Sequence, residues 1–187
     1  MSQAPNPAAP GPVNSASGVP LPLVALPQSK LLTVNQDEIP LLVDAFGPGI
    51  NFKPLRLDLE RNEWVAIARF DPGTSMPMHY HTGPVEIWTL SGLWKYVEYP
   101  DEPQTAGSYL YEPGGSVHTL MVPESCTEPA VQIVRAVGAL VNFNEDGTFN
   151  SVLDALTVRH VADTVSAERG LKTPFIEGGF ASRVVSS

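Results

Sequence analysis

The chain has 187 residues, of which 43% are apolar and 17% charged, and its formal net charge is −9. This length fits a single domain with a substantial hydrophobic core. The acidic balance argues against a nucleic-acid partner, which lysine and arginine would have to hold, and it also disfavours an anionic membrane surface. The single cysteine, Cys126, excludes an intramolecular disulfide and a cysteine-rich zinc site.

The sequence contains neither a membrane span nor a secretory leader pattern. No apolar run approaches the ~20 residues that a spanning helix needs. The N-terminus lacks a basic region, and the apolar run at residues 21–26 is interrupted by Pro22. We therefore expect a cytoplasmic protein.

Residues 1–29 differ in composition from the rest of the chain. They contain no charged side chain and seven of the 19 prolines. Such a segment buries too little apolar surface to offset the entropy of ordering it. We expect a flexible arm or, alternatively, an arm that lies across a neighbouring subunit.

From residue 30 onwards, short stretches rich in β-branched and aromatic residues alternate with turn residues. Many short strands at close spacing predict an all-β sandwich or barrel over residues 30–150. The predicted strands are residues 31–35, 50–58, 63–70, 77–82, 85–90, 93–99, 107–112, 116–122, 130–137 and 139–143.

One helix is predicted within residues 151–187, where it and the tail pack on the barrel. Gly170 suits the position that follows the last helical turn. Four apolar residues have the spacing of a single helix face, namely Val158, Val161, Ala162 and Val165.

Two of the four histidines lie in one predicted strand. His79 and His81 alternate there, so their side chains leave the same face about 6.6–6.8 Å apart along the backbone. Two imidazoles in this arrangement can converge on one metal ion. His160 belongs to no motif and lies beside the apolar stripe of the predicted helix, so we expect it at the surface.

The histidines belong to two longer patterns, G(x)5HxH(x)4E(x)5G from residue 73 and G(x)5PxG(x)2H from residue 107. These patterns resemble the paired motifs of the cupin superfamily, although Val122 replaces the final Asn of the second motif. The resemblance implies a single jelly-roll barrel. It also implies that His79, His81 and His118 bind one metal ion inside this barrel.

Two glutamates compete for a place beside these histidines. If residues 91–92 form a two-residue hairpin turn, Val85 lies opposite Glu98 and shares its face of the sheet. Val85 also continues the alternation of the histidines, whereas Glu86 is one residue out of phase. Strand parity therefore favours Glu98 as fourth ligand or close partner of the metal. A slip of one residue would favour Glu86, and a site with three histidines and no carboxylate stays open.

Residues 79–85, 90–99 and 106–120 are similar to the 2,4′-dihydroxyacetophenone dioxygenase-like cupins. The resemblance implies a non-haem iron centre to which Glu98 belongs. It further implies cleavage by O2 of a carbon–carbon bond next to a ketone. An enolised α-hydroxyketone or β-diketone can chelate such an iron through two oxygens.

Aromatic residues near the predicted site could form a pocket for an aromatic substrate. Trp94 and Tyr96 share the predicted face of Glu98 and are the first candidates for substrate binding. Three further aromatic residues are candidates for the same pocket, namely Trp88, Tyr109 and Tyr111.

The expected cofactor is Fe(II), although the same ligands accept zinc, manganese or nickel. Two rival enzymes would use the same site, a β-diketone (acetylacetone-type) dioxygenase and a metal-dependent isomerase. A non-enzymatic zinc-binding sensor, as in anti-sigma factors, is a further alternative. We also expect a homodimer or higher homo-oligomer, because a small open barrel leaves edge strands to cover.

Overall fold

The structure, a computed structural model, describes residues 11–25 and 32–178. The chain divides into two compact units, residues 1–33 and 34–187. In the first unit, strands β1 (Gly11–Asn14) and β2 (Pro20–Ala25) form an antiparallel hairpin, which the sequence did not predict. Residues 1–10 and 26–29 of the predicted arm lie outside the described ranges. A flexible or subunit-wrapping role for this arm stays a prediction.

The described residues of the second unit, 34–178, form β-strands in three sheets and one α-helix. The elements are β3 (Ile50–Asp58), β4 (Glu63–Phe70), β5 (Met78–His81), β6 (Val85–Ser91), β7 (Leu93–Tyr96), β8 (Tyr99–Thr105), β9 (Tyr109–Glu112), β10 (Val117–His118), β11 (Leu120–Met121), β12 (Ala130–Val137), β13 (Leu140–Phe143), β14 (Phe149–Leu153), α1 (Ala155–Arg169) and β15 (Ile176–Gly178). The strand orders are β15-β3-β4-β12-β6-β9, β10-β5-β13-β14 and β11-β7-β8. This confirms the prediction of an all-β fold with a C-terminal helix.

The central strands follow the apolar alternation of the sequence. β12 pairs with β4 over its whole length, and its residues alternate between buried and half-buried. This is the pattern of a strand with one face on the core. β3, β4 and β12 begin and end at the predicted residues, whereas residues 32–35 contain no strand and are followed by a short 3-10 helix, Gln36–Glu38.

The predicted hairpin at residues 91–92 is wrong. β6 pairs with β12 and β9, while β7 pairs with β8 and β11, so the chain passes from one sheet to another at this turn. Gly92 makes the turn with φ of 75°. The turn residues specify a change of direction, but the strands that hydrogen-bond to β6 are distant in sequence. Val85 therefore lies opposite Glu112 in β9 and Ala136 in β12, and not opposite Glu98.

Helix α1 confirms the predicted helix and its end. Asp154 caps its first turn by accepting a hydrogen bond from the Thr157 backbone N–H at 2.8 Å, and Gly170 ends it in the left-handed conformation with φ of 63°. Val158 and Ala162 are buried in the core. β15 follows the helix and pairs in parallel with β3.

Within the described ranges, no helix combines the length and apolarity required to cross a bilayer.

We expect Gly92→Ala to lower the free energy of unfolding by about 2–4 kcal/mol. Alanine is strained at φ of 75°, and its Cβ would lie 2.8 Å from the Cα of Ala130. Urea denaturation measures the loss. The control is Gly107→Ala, because Gly107 has φ of 91° but nothing within 4 Å of a new Cβ. Its free energy of unfolding should fall only by the cost of the backbone strain, about 1–2 kcal/mol. Equal losses in both variants would contradict a clash at Gly92.

Candidate metal centre

The three predicted histidines meet at one point inside the barrel. His79 and His81 lie in β5, and His118 lies opposite His79 in the neighbouring strand β10. Their ring centroids are 4.8–5.0 Å apart. The Nε2 atoms of His81 and His118 are 2.9 Å apart, which matches two adjacent ligands at right angles, each about 2.0–2.1 Å from one ion. The geometry therefore brings together the set of ligands that the motifs predicted.

Contacts behind the rings hold two of the imidazoles in orientation. His79 Nδ1 lies 2.8 Å from the Pro77 carbonyl. Because a carbonyl only accepts, Nδ1 carries the proton and leaves the Nε2 lone pair for the cluster. His118 is stacked on Tyr96 with ring centroids 4.0 Å apart. His81 Nδ1 is buried without a hydrogen-bond partner in the described part of the chain.

Burial keeps the three imidazoles neutral. It lowers the pKa of His81 to about 3, with further lowering by the nearby His79 and His118. Burial likewise lowers the pKa of His118 to about 4, and it lowers the pKa of His79. Neutral imidazoles with free lone pairs are ligands for zinc, iron, copper or nickel. The donor set therefore fits a transition-metal ion.

Glu112 is the site residue that the sequence analysis missed. Its side chain is buried, with Oε2 at 3.3 Å from His81 Nε2 and Oε1 at 3.5 Å from His118 Nε2. Burial raises its pKa to about 8, so in the metal-free protein this carboxyl is protonated and contacts neutral imidazoles without forming an ion pair. A divalent cation beside it would favour the carboxylate.

A signal for Glu112 is present in the sequence. Residues 109–112 read Tyr-Leu-Tyr-Glu, and the period of two in a strand puts Leu110 and Glu112 on one face. In the structure Tyr109 and Tyr111 are exposed while Glu112 is buried. Pairing of β9 with β6, which the sequence did not reveal, brings Glu112 opposite Val85 on the face that carries the histidines.

Glu98 lies at the edge of the cluster and not within it. Its side chain is exposed, and Oε2 accepts a hydrogen bond from the Thr119 backbone N–H at 2.8 Å. Its negative charge raises the pKa of His79 and His118 and so offsets part of the lowering that burial causes. The candidate ligand atoms that lie within 4.8 Å of one another belong to the three histidines, and this group includes neither the Glu98 nor the Glu112 carboxylate. Metal ligation by Glu98 stays a prediction.

Glu86 lies on the outer face of the sheet. Its carboxylate is 2.6 Å from Arg135 Nη1 and accepts a hydrogen bond from the Tyr109 hydroxyl at 3.0 Å. Arg135 first, and then Tyr109, lower its pKa through these hydrogen bonds. Glu86 is therefore an ion-pair partner at the surface, on the face that its strand parity indicated.

Two cavities adjoin the cluster. The first, the interior cavity, has a volume of about 70 Å³ and is bordered by His79 and His81. The second, the outer pocket, has a volume of about 260 Å³ and is bordered by His118. Tyr96 and Glu112 border both cavities. The centre is therefore approached from two sides.

The aromatic candidates divide between these cavities, the core and the surface. Tyr96 and Tyr111 border the outer pocket. Trp94 borders neither cavity. It is fully buried, and its Nε1–H donates to Thr89 Oγ1 at 3.0 Å. Trp88 and Tyr109 contact each other at the surface with ring centroids 5.2 Å apart and ring planes tilted by 45°. Of the two first candidates, Tyr96 borders both cavities and Trp94 borders neither, and substrate binding by these residues stays a prediction.

We expect His81→Ala and His118→Ala to lower metal affinity by more than about 100-fold, since loss of a ligand costs more than loss of a supporting contact. Competition with a chelating dye and elemental analysis of the purified protein measure the loss. His160→Ala is the matched control, because this exposed histidine lies on α1 away from the cluster. Equal metal content in all three variants would contradict the site.

In metal-free protein, Glu112 should make stability fall as pH rises. Its pKa is about 8 when folded and about 4.5 when unfolded, so between these values only the native state holds the proton. Relative to Glu112→Gln, the wild type should lose on the order of 4 kcal/mol from pH 4.5 to 8. Urea denaturation of both proteins over this range tests this, and a difference independent of pH would refute it.

Comparison with known proteins agrees with the observed fold. The family model of the ChrR cupin-like domain matches residues 31–140, more than half of the chain. A solved protein of unknown function with a cupin-like fold, from Ralstonia eutropha JMP134, is 36% identical with a TM-score of 0.79, and the match covers 84% of this chain and 98% of that one. A search among curated proteins returned no match.

Two more distant solved structures show likeness of fold alone. An RmlC-like cupin from Ralstonia eutropha JMP134 is 22% identical with a TM-score of 0.72, covering 78% of this chain and 92% of that one. The acetylacetone dioxygenase of Acinetobacter johnsonii is 18% identical with a TM-score of 0.61, covering 74% and 93%. With the family model spanning most of the barrel and a 36% identical relative aligned over nearly its whole length, this chain belongs to the ChrR cupin-like family of the cupin superfamily.

Proposed function

We propose that this protein is a non-haem Fe(II) dioxygenase that uses O2 to cleave the carbon–carbon bond next to a ketone. The proposed substrate is an aryl α-hydroxyketone of the 2,4′-dihydroxyacetophenone type. The observation that carries the proposal is the cluster of three neutral imidazoles with one buried carboxyl, placed where two cavities meet. Neutral imidazoles with few carboxylates suit Fe(II) and leave positions for exchangeable oxygen ligands.

The residues of the cluster would have two roles, binding of the ion and transfer of a proton. His79, His81 and His118 would hold the iron, with Glu112 as a fourth ligand or as its neighbour. When bound, Fe(II) would supply Lewis acidity towards the oxygens of the ketone and would relay to O2 the electrons that the ketone gives up as it is oxidised. The Pro77 carbonyl and the Tyr96 ring keep the His79 and His118 imidazoles turned towards it.

Glu112 is suited to act as the general base. Enolisation of a hydroxyketone removes a proton from the carbon next to the carbonyl, and an acceptor must lie within hydrogen-bond reach. Glu112 borders both cavities, so its carboxylate reaches a ketone in the outer pocket. Burial raises its pKa to about 8 without a cation, and a bound cation would favour the carboxylate form, which is the form that accepts a proton.

The outer pocket accommodates an aromatic ring. Its volume of about 260 Å³ exceeds the roughly 150 Å³ of a cavity that binds benzene. Tyr96, Tyr111 and Leu110 provide apolar walls, and Gln104 and Ser116 supply polar groups. An aryl ketone that presents its oxygens to the histidine cluster therefore has space for its ring.

Rival functions can use the same donors. The likeness to an acetylacetone dioxygenase makes a β-diketone substrate the first alternative, although that likeness shows only the fold. A metal-dependent isomerase would need the same enolate without O2. The match to the ChrR cupin-like domain makes a metal-binding sensor the non-enzymatic alternative.

Protein loaded with Fe(II) under anaerobic conditions should consume one O2 per molecule of aryl hydroxyketone in an oxygen electrode. The products should be one aryl carboxylic acid and formic acid, which together contain all atoms of the ketone and O2. Acetylacetone should be a poorer substrate. Two results together would instead indicate the sensor. Protein fully loaded with iron would consume no O2 with any ketone, and the purified protein would bind zinc tightly in stoichiometric amount.

Glu112→Gln should lower kcat by about 10²–10⁴-fold, the usual contribution of a general base. Iron content should persist, because three imidazoles remain. Glu86→Gln is the matched control, since that carboxylate lies at the surface paired with Arg135, and its kcat should be unchanged. Steady-state kinetics and metal analysis of both variants check this, and equal kcat values would remove Glu112 from the mechanism.

A further inference from the structure

We propose that the interior cavity is a binding site for dioxygen, separate from the outer pocket that takes the ketone. This inference rests on the proposed function and assigns a place to each of its two substrates. It follows from the size of the interior cavity, from its lining and from the residues that it shares with the outer pocket.

The volume of the interior cavity admits a small gas molecule and excludes an aryl ring. It measures about 70 Å³, whereas a cavity known to bind benzene measures roughly 150 Å³. The outer pocket measures about 260 Å³. The ring of an aryl ketone therefore fits only the outer pocket, while a diatomic molecule fits either cavity.

The lining of the interior cavity favours an apolar occupant over water. Its walls consist mainly of apolar side chains from all three sheets and from α1. Trp64 Nε1 and Gln132 Oε1 are buried without a partner in the described ranges, and neither atom is accessible to a water-sized molecule. A buried water needs two to four polar partners, and apart from Trp64 and Gln132 the polar side chains that border this cavity are those of the metal centre and Tyr96.

The two cavities approach the centre from different sides. His79 and His81 border the interior cavity, while His118 borders the outer pocket. Tyr96 and Glu112 border both. A gas molecule in the interior cavity therefore lies beside two of the three histidines without displacing a ketone from the outer pocket.

Xenon is the probe, because it is an apolar atom that occupies dry cavities. A crystal of the iron-loaded protein under xenon pressure should show xenon in the interior cavity, with or without a ketone in the outer pocket. Xenon NMR of the zinc-loaded protein in solution gives the same readout independently of activity.

Ala66→Leu should fill the cavity, since Ala66 borders it from β4 and is buried. We expect loss of xenon binding and at least a ten-fold rise in KM for O2, with KM for the ketone unchanged. Val134→Ile is a milder variant of the same wall, in case the larger side chain prevents folding. The matched control is Ala167→Leu, which adds the same atoms at an exposed position of α1 and should change neither value.

Several outcomes would overturn the assignment. These are ordered water that xenon does not displace, xenon in the outer pocket alone, or a rise in KM for the ketone instead of O2 in Ala66→Leu. Turnover without xenon binding would overturn the dioxygen site and leave the dioxygenase standing. Xenon binding that Ala66→Leu abolishes, without turnover on any ketone, would overturn the dioxygenase and leave a gas-binding cavity.

Discussion

The pairing of β5 with β10 is the constraint on which the centre depends. His79 and His81 share a face because they alternate in β5, and His118 joins them because it lies opposite His79 in the register of the two strands. A slip of one residue in this register would turn His118 away from the barrel interior. β13 holds the other edge of β5, so the histidine strand is fixed from both sides.

Burial of the centre decides its electrostatics. The removal of three imidazoles and one carboxyl from water disfavours their charged forms, so the rings lose protons and Glu112 keeps one. A metal ion beside Glu112 would favour its carboxylate form, and the lone pairs of the neutral imidazoles would bind the ion. The cost of burying these polar groups in the metal-free protein is thus offset by binding of the ion.

Two cavities beside the centre provide the separate sites that we propose for the ketone and for dioxygen. Tyr96 and Glu112 form the boundary between a small apolar cavity and a larger pocket with polar groups. One carboxyl therefore borders both the pocket proposed for the ketone and the cavity proposed for dioxygen. This boundary arises because β7 and β9, in different sheets, bring Tyr96 and Glu112 to the same cluster.

Local patterns in the sequence determined the strands β3, β4 and β12, the helix with its Gly170 cap and the three histidines, because alternation and motif spacing are properties of short segments. The tertiary structure decided which strand pairs with β6, and hence that Glu112, and not Glu98, lies opposite Val85. It also decided that Trp94 packs in the core. Period-two alternation specifies the face of a strand but not its neighbour, since strand partners are distant in sequence and are selected by packing of the whole barrel.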